Sequence, residues 1–171
     1  GKWYSYNPSV VRVDSLTGVV TSVSLGAATI RYEMPTGCFV TKAVTVYPLP
    51  LVFTVTGGGN HCDHDSGVHI RLSGSTVGIN YMLYLGAAAV GAFPGTGSPI
   101  DFGLHTLAGT YTVKAISTST SCAVNMAGSA LVGVIPSVTP VVTLNVTPDD
   151  TVCVGTTASF VPVAVNGGSA P

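Results

Sequence analysis

Histidine, cysteine and aspartate crowd into one stretch of the chain, Asn60-His61-Cys62-Asp63-His64-Asp65, with His69 shortly beyond. Imidazole and thiolate are ligands for a transition metal, and aspartates for calcium. The spacing works against both. Neighbouring side chains on an extended strand point to opposite faces, so only alternate residues converge. No C-x-x-C pair of the zinc type occurs, and Cys62 is better employed in a disulfide. The stretch therefore reads as a solvated loop that holds no metal.

Other chemistries find still fewer residues. Serine hydrolysis needs a nucleophile, a histidine and an orienting carboxylate, yet no G-x-S-x-G elbow occurs among the many serines. Glycoside hydrolysis needs two separated carboxylates, and Glu33 is the only glutamate. Asp14, Asp101 and the Asp149–Asp150 pair fall at turn signals, where aspartate caps backbone amides. The expectation is a chain that is not an enzyme, with no catalytic residue and no cofactor.

The bulk composition narrows the partners. Charged residues are 8% of the 171, against about 25% in an ordinary soluble domain. A net charge of −1 offers no field for nucleic acid or an anionic membrane. Hydrophobic residues reach 46% and mean hydropathy is +0.54. Membrane insertion does not account for that: residues 115–148 carry no charge, but Ser, Thr, Asn and Pro interrupt them well short of about 18 apolar residues in a row. Two readings remain open, a β-protein coated with Ser, Thr and Gly, or a surface covered by other protein. Four cysteines in paired-looking positions point to an oxidising compartment, extracellular or at the cell surface.

The elements that position these residues are organised by a repeat. PLPLVFTVTGGGNHC over residues 48–62 and TPVVTLNVTPDDTVC over residues 139–153 share one order of parts: proline, alternating apolar run, turn-rich break, cysteine. Cys38 and Cys122 differ, each following a turn residue and preceding an apolar run that ends at proline. The cysteines thus run late, early, late, early, at a period of roughly 90 residues. The chain reads as the end of one unit (1–49), one whole unit (50–138) and the start of a third (139–171).

Apolar residues alternate instead of recurring every three or four, and β-branched residues dominate between Gly, Pro, Asn and Ser. The expected strands are 9–13, 19–24, 27–33 and 39–47 in the first unit. The second has 51–56, 67–72, 79–85, 87–91, 100–103, 110–116 and 129–134; the third has 141–147 and 157–165. Seven short strands over about 85 residues match an immunoglobulin-like sandwich. Tyr111 in Ala108-Gly-Thr-Tyr-Thr-Val113 stands where a tyrosine corner would bond backbone. Tyr81, and Trp3 in the first unit, are expected to pack in the core. The fold class is all-β, tandem immunoglobulin-like sandwiches with one complete and two partial.

Residues 7–33, NPSVVRVDSLTGVVTSVSLGAATIRYE, carry a recognisable motif. The asparagine-proline followed by V-x-V-D, the Thr17-Gly18-Val19-Val20 turn and strand, and Gly26-Ala-Ala-Thr-Ile30 resemble the bacterial immunoglobulin-like domain of group 2. That family occurs in tandem in large surface proteins such as intimin and invasin. The resemblance covers roughly residues 3–47; the two strands that open such a domain before the tryptophan are absent here. Residues 50–138 more loosely resemble the repeats of very long secreted adhesins. The resemblance implies a sandwich used as a spacer or adhesive module, with no catalytic residues to carry over.

The functional expectation is a structural and adhesive module of a bacterial surface or secreted repeat protein. Its partners are copies of itself or adjacent repeats of one polypeptide. The alternative is a glycan-binding module using aromatics such as Phe93 or Tyr84, or a non-catalytic accessory domain of a secreted hydrolase. Cys62 and Cys122 are expected to form a disulfide within the second unit. Cys38 and Cys153 are left for partners outside their own units: segments further along a longer polypeptide, or a neighbouring copy joined head to tail by strand complementation into a filament.

Overall fold

Alternating Val, Ile, Thr and aromatic residues between glycine and proline favour extended chain over helix, and that preference is carried through. The computed structural model describes residues 1–147 and 151–166, and every regular element in them is a β-strand. Among the described residues no helix is long and apolar enough to cross a membrane. The Asp149–Asp150 pair and residues 167–171 lie outside the described residues.

In the N-terminal segment, β1 (Lys2–Ser5), β4 (Gly26–Glu33) and β5 (Phe39–Val46) form an antiparallel sheet in the order β1-β4-β5. A hairpin of β2 (Val11–Val13) and β3 (Val20–Ser22) lies over it. Val10, Val11, Ala28 and Ile30 are buried between them, with Trp3, Val13, Val44 and Val46 packed around. The loop joining β2 to β3 is wound on Asp14. Its Oδ1 accepts the Thr17 amide at 2.7 Å, the Leu16 amide at 3.0 Å and the Thr17 hydroxyl at 2.9 Å. Those hydrogen bonds to the charged form, led by the Thr17 amide, hold the carboxyl below its ordinary range. Gly18 closes the loop at φ +76°, and a Cβ there would stand 2.7 Å from the Trp3 ring. Trp3 in turn donates its amide to the Ser15 carbonyl at 3.0 Å.

The middle segment has two facing sheets. One runs β10 (Ala88–Pro94), β9 (Ile79–Leu85), β12 (Gly109–Ser117), β14 (Ala130–Ile135), β7 (Gly59–Cys62), with β13 (Ala123–Asn125) also on β12. The other runs β11 (Ile100–His105), β8 (Val68–Leu72), β6 (Val55–Gly57). All pairings are antiparallel except β14 with β7. Period-two alternation sends Tyr111, Val113 and Ala115 of β12 and Tyr81 and Leu83 of β9 inward. They meet Ile70, Leu72, Val55, Ile100 and Phe102 from the facing sheet in one core. Tyr81 is fully buried with its hydroxyl accepting the Thr76 amide at 2.9 Å. Tyr111 donates to the Leu107 carbonyl at 3.0 Å, and burial raises its pKa. A buried tyrosine needs such a partner, and both have one.

The C-terminal segment is a single antiparallel hairpin, β15 (Val141–Thr147) with β16 (Ser159–Val165). No residue of either strand is buried.

Strands that the alternation pattern does not announce are β1, β7 and β13. The expected 51–56 strand contracts to β6 (Val55–Gly57), because Leu51 and Val52 are exposed and belong to the proline-containing linker.

Candidate functional site

The histidine–aspartate stretch is taken apart by the fold. His61 turns inward and is buried, its Nδ1 2.7 Å from the Cys62 carbonyl and its Nε2 3.0 Å from the Thr106 carbonyl. It is a strut between β7 and the connection leading into β12. Asp65 folds back to accept the Cys62 amide at 3.1 Å. Asp63 accepts the Ser137 hydroxyl at 3.2 Å, and the Ser137 amide leads in holding its carboxyl below the ordinary range. His64 is solvent-exposed, its Nε2 3.8 Å from Asp63 Oδ1. Among the described residues no three His, Cys, Asp or Glu side chains converge.

His69 instead belongs to a second constellation, on the outer side of the β8–β11 pair. Its Nδ1 lies 2.9 Å from Asp101 Oδ1, while Arg71 Nε donates to Asp101 Oδ2 at 3.0 Å and the Gly103 amide to Oδ1 at 2.9 Å. His69 first, then the Gly103 amide and Arg71, lower the Asp101 pKa to about 2. The β8–β11 register slips between Asp101 and Leu104, with Gly103 at φ +90°. The carboxylate therefore restores cross-strand bonding where the backbone ladder is interrupted. Sequence reasoning placed Asp101 at a turn; it lies inside β11, and the glycine two residues on was the available sign of a bulge.

The third surface is the outer face of the N-terminal sheet. Register sets Tyr4 opposite Arg31 and Glu33 opposite Phe39, on the side away from Ile30. Arg31 donates to the Tyr6 hydroxyl at 3.2 Å, pairs with Glu33 at 3.0 Å and lies 3.9 Å from the Phe39 ring centroid. Tyr4, Tyr6 and Phe39 stay exposed around it, and Tyr4, Ser5, Tyr6, Arg31 and Glu33 line a shallow depression of about 410 Å³. Fixed guanidinium and aromatic faces together suit stacking and hydroxyl recognition. Phe93 is differently employed, packing edge-on against Phe102 at 4.9 Å. Tyr84 sits half-buried between Ala89 and Thr112 of the neighbouring strands.

All four cysteines are free thiols: Cys38, Cys62 and Cys153 exposed, Cys122 partly covered. The pairing of Cys62 with Cys122 is corrected by the strand order. β14 runs antiparallel to β12 with Val132 opposite Gly109, and β7 runs parallel to β14 with Cys62 level with Ile135. Cys62 is thereby carried to the end where β12 begins, next to His61, whose ring reaches the Thr106 carbonyl. Cys122 closes the turn at the other end, its carbonyl bonded to the Ser117 amide. The length of β12 separates them, roughly 30 Å at the rise of a strand, whereas bridged cysteines have Cα atoms about 4.4–6.8 Å apart.

No protein-family model and no curated protein matches the chain.

Proposed function

We propose that the chain is a run of immunoglobulin-like β-sandwich units from a bacterial surface or secreted repeat protein, acting as a spacer and adhesive module. The observation that carries this is one strand pairing made twice, a repeat period apart. β6 pairs antiparallel with β8, the strand that follows Cys62, and β15 pairs antiparallel with β16, the strand that follows Cys153. The order β1-β4-β5 likewise parallels β9-β12-β14, with Trp3 and Tyr81 on corresponding first strands. On this reading residues 1–49 are the late strands of one sandwich, 50–138 a whole sandwich, and 139–171 the early strands of another. The linkers carry Pro48 and Pro50, and Pro136 and Pro140, which stiffen a joint. Limited proteolysis of the whole chain tests the division. Cleavage is expected first within residues 48–52 and 136–140, leaving a resistant fragment of residues 53–135; early cuts inside that fragment would overturn the reading.

A ligand-binding role rests on a separate observation, the exposed aromatic and guanidinium face of Tyr4, Tyr6, Arg31 and Phe39. Sugar rings stack on such aromatics while hydroxyls bond the ion pair. Calorimetric titration with neutral oligosaccharides is expected to give binding that Tyr4→Ala and Tyr6→Ala each abolish. Binding untouched by both substitutions would place any glycan site elsewhere.

A further inference from the structure

We infer that the middle sandwich bears tension along the chain, its first and last strands zipped in parallel so that an end-to-end pull loads them in shear, an inference that rests on the tandem-unit reading above. One register runs the length of the unit. Phe53 donates its amide to Met126 Sδ, 73 residues on. Thr54 is level with Ala127, and the offset is unchanged where Gly59 meets Val132 and Cys62 meets Ile135. Around Thr54 the Ala127 amide donates to the Phe53 carbonyl at 2.9 Å, and the Val55 amide to the Ala127 carbonyl at 2.8 Å. The pairs of β7 with β14 follow. Beyond them the Asp63 amide donates to the Ile135 carbonyl at 3.1 Å, and the Asp63 carboxylate accepts the Ser137 hydroxyl at 3.2 Å.

Between these two blocks the first strand changes sheets without losing step. β6 pairs with β8 in the facing sheet, and β7 returns to β14. Gly57, Gly58 and Gly59 make the crossing at φ +94°, +78° and +125°. Gly58 has no room for a side chain, since a Cβ there would stand 2.5 Å from the Leu131 carbonyl oxygen. Glycine is the residue that supplies three such conformations in a row, which accounts for a run that in sequence reads only as a turn-rich break. His61 then fixes β7 from within, its ring spanning the Cys62 and Thr106 carbonyls.

Direction decides how such a zip fails. The entry linker pulls on Phe53 and the exit linker on Ile135. Because the paired strands are parallel, those two points lie at opposite ends of the zip. The strands are dragged past each other, and every rung is strained at once. In an antiparallel pair both linkers would leave at one end, and the rungs would part singly. Resistance to force is set by the unfolding barrier, not by equilibrium stability, so the geometry of loading matters more than the number of bonds. The thirteen buried hydrophobic residues behind the zip stay covered until it gives.

Single-molecule force spectroscopy on the 171-residue chain tests this in two geometries. Held at its two termini, the chain is expected to release the middle sandwich in one rip of roughly 250 Å of contour length, after the smaller end segments have given way. In the second geometry one handle moves to the side chain at position 64, which is solvent-exposed and lies just beyond β7; the other stays at the C-terminus. That pull enters the zip at the Cys62–Ile135 end and parts the rungs one by one. It is expected to need roughly half the force or less, since the evenly spaced rungs of a parallel pair then carry the load in turn. Equal forces in the two geometries, or a weaker rip from the termini, overturn the inference. A rip of the expected length at equal force sinks shear loading alone, whereas a middle segment that opens piecemeal in both geometries sinks the tandem-unit reading with it.

Discussion

At the scale of single residues, two positions carry more of the local structure than their exposure implies. Gly18 must be left-handed and must leave room for the Trp3 ring. Gly18→Ala is expected to destabilise the N-terminal segment by roughly 1–3 kcal/mol, combining backbone strain with the displaced ring. Trp3 is the only tryptophan, so denaturant unfolding followed by its fluorescence reads that segment alone; an unchanged midpoint would refute the account. Asp101 gives a pH dependence. Its pKa is about 2 in the folded chain against an ordinary 3.8. The stability it adds is fully present above the unfolded value and is lost as pH falls from about 4 towards 2. The carboxylate is 42% exposed, so solvent screening keeps the contribution within about 1 kcal/mol. Asp101→Asn should lower stability at pH 7 and flatten its decline across that acid window. An equally steep decline in the variant would assign the acid sensitivity to other carboxylates.

Among the elements, what was legible depended on whether side chains or backbone define a strand. Ile79–Leu85 and Val141–Thr147 appear with the bounds expected, because alternating apolar residues carry the information. The Gly-Thr-Tyr signature also located the Tyr111–Leu107 bond. β7 was illegible: Gly59-Asn60-His61-Cys62 has no β-branched residue and is a strand only through backbone pairing beside β14. That one parallel pairing decides where Cys62 lies, so the disulfide expectation failed with it. The inward turn of His61 was hidden for the same reason, since its carbonyl partner Thr106 is remote in sequence. Likewise the Tyr4–Arg31–Phe39 face exists only once β1 and β5 flank β4. The strand order has a chemical consequence. Non-reducing peptide mapping is expected to find no Cys62–Cys122 link, and native alkylation to modify Cys38, Cys62 and Cys153 faster than the partly covered Cys122. A Cys62–Cys122 peptide would require β7 to leave β14.

Over the whole molecule the apolar residues are unevenly shared. The middle core has thirteen buried hydrophobic residues, the N-terminal core four, and the C-terminal hairpin none. Burial of this kind is the main favourable term in folding, and a two-stranded hairpin alone is marginal in water. The chain is therefore expected to melt in two steps, the N-terminal segment below the middle one, with Trp3 fluorescence following only the first. Scanning calorimetry, run beside the Trp3 fluorescence melt, makes the comparison. Two heat-absorption steps, the lower one coincident with the Trp3 transition, are expected, because the four-residue core loses its stability before the thirteen-residue one. A single cooperative step that the Trp3 signal follows throughout would show that the N-terminal and middle segments unfold as one unit and that the smaller core is not independently weaker.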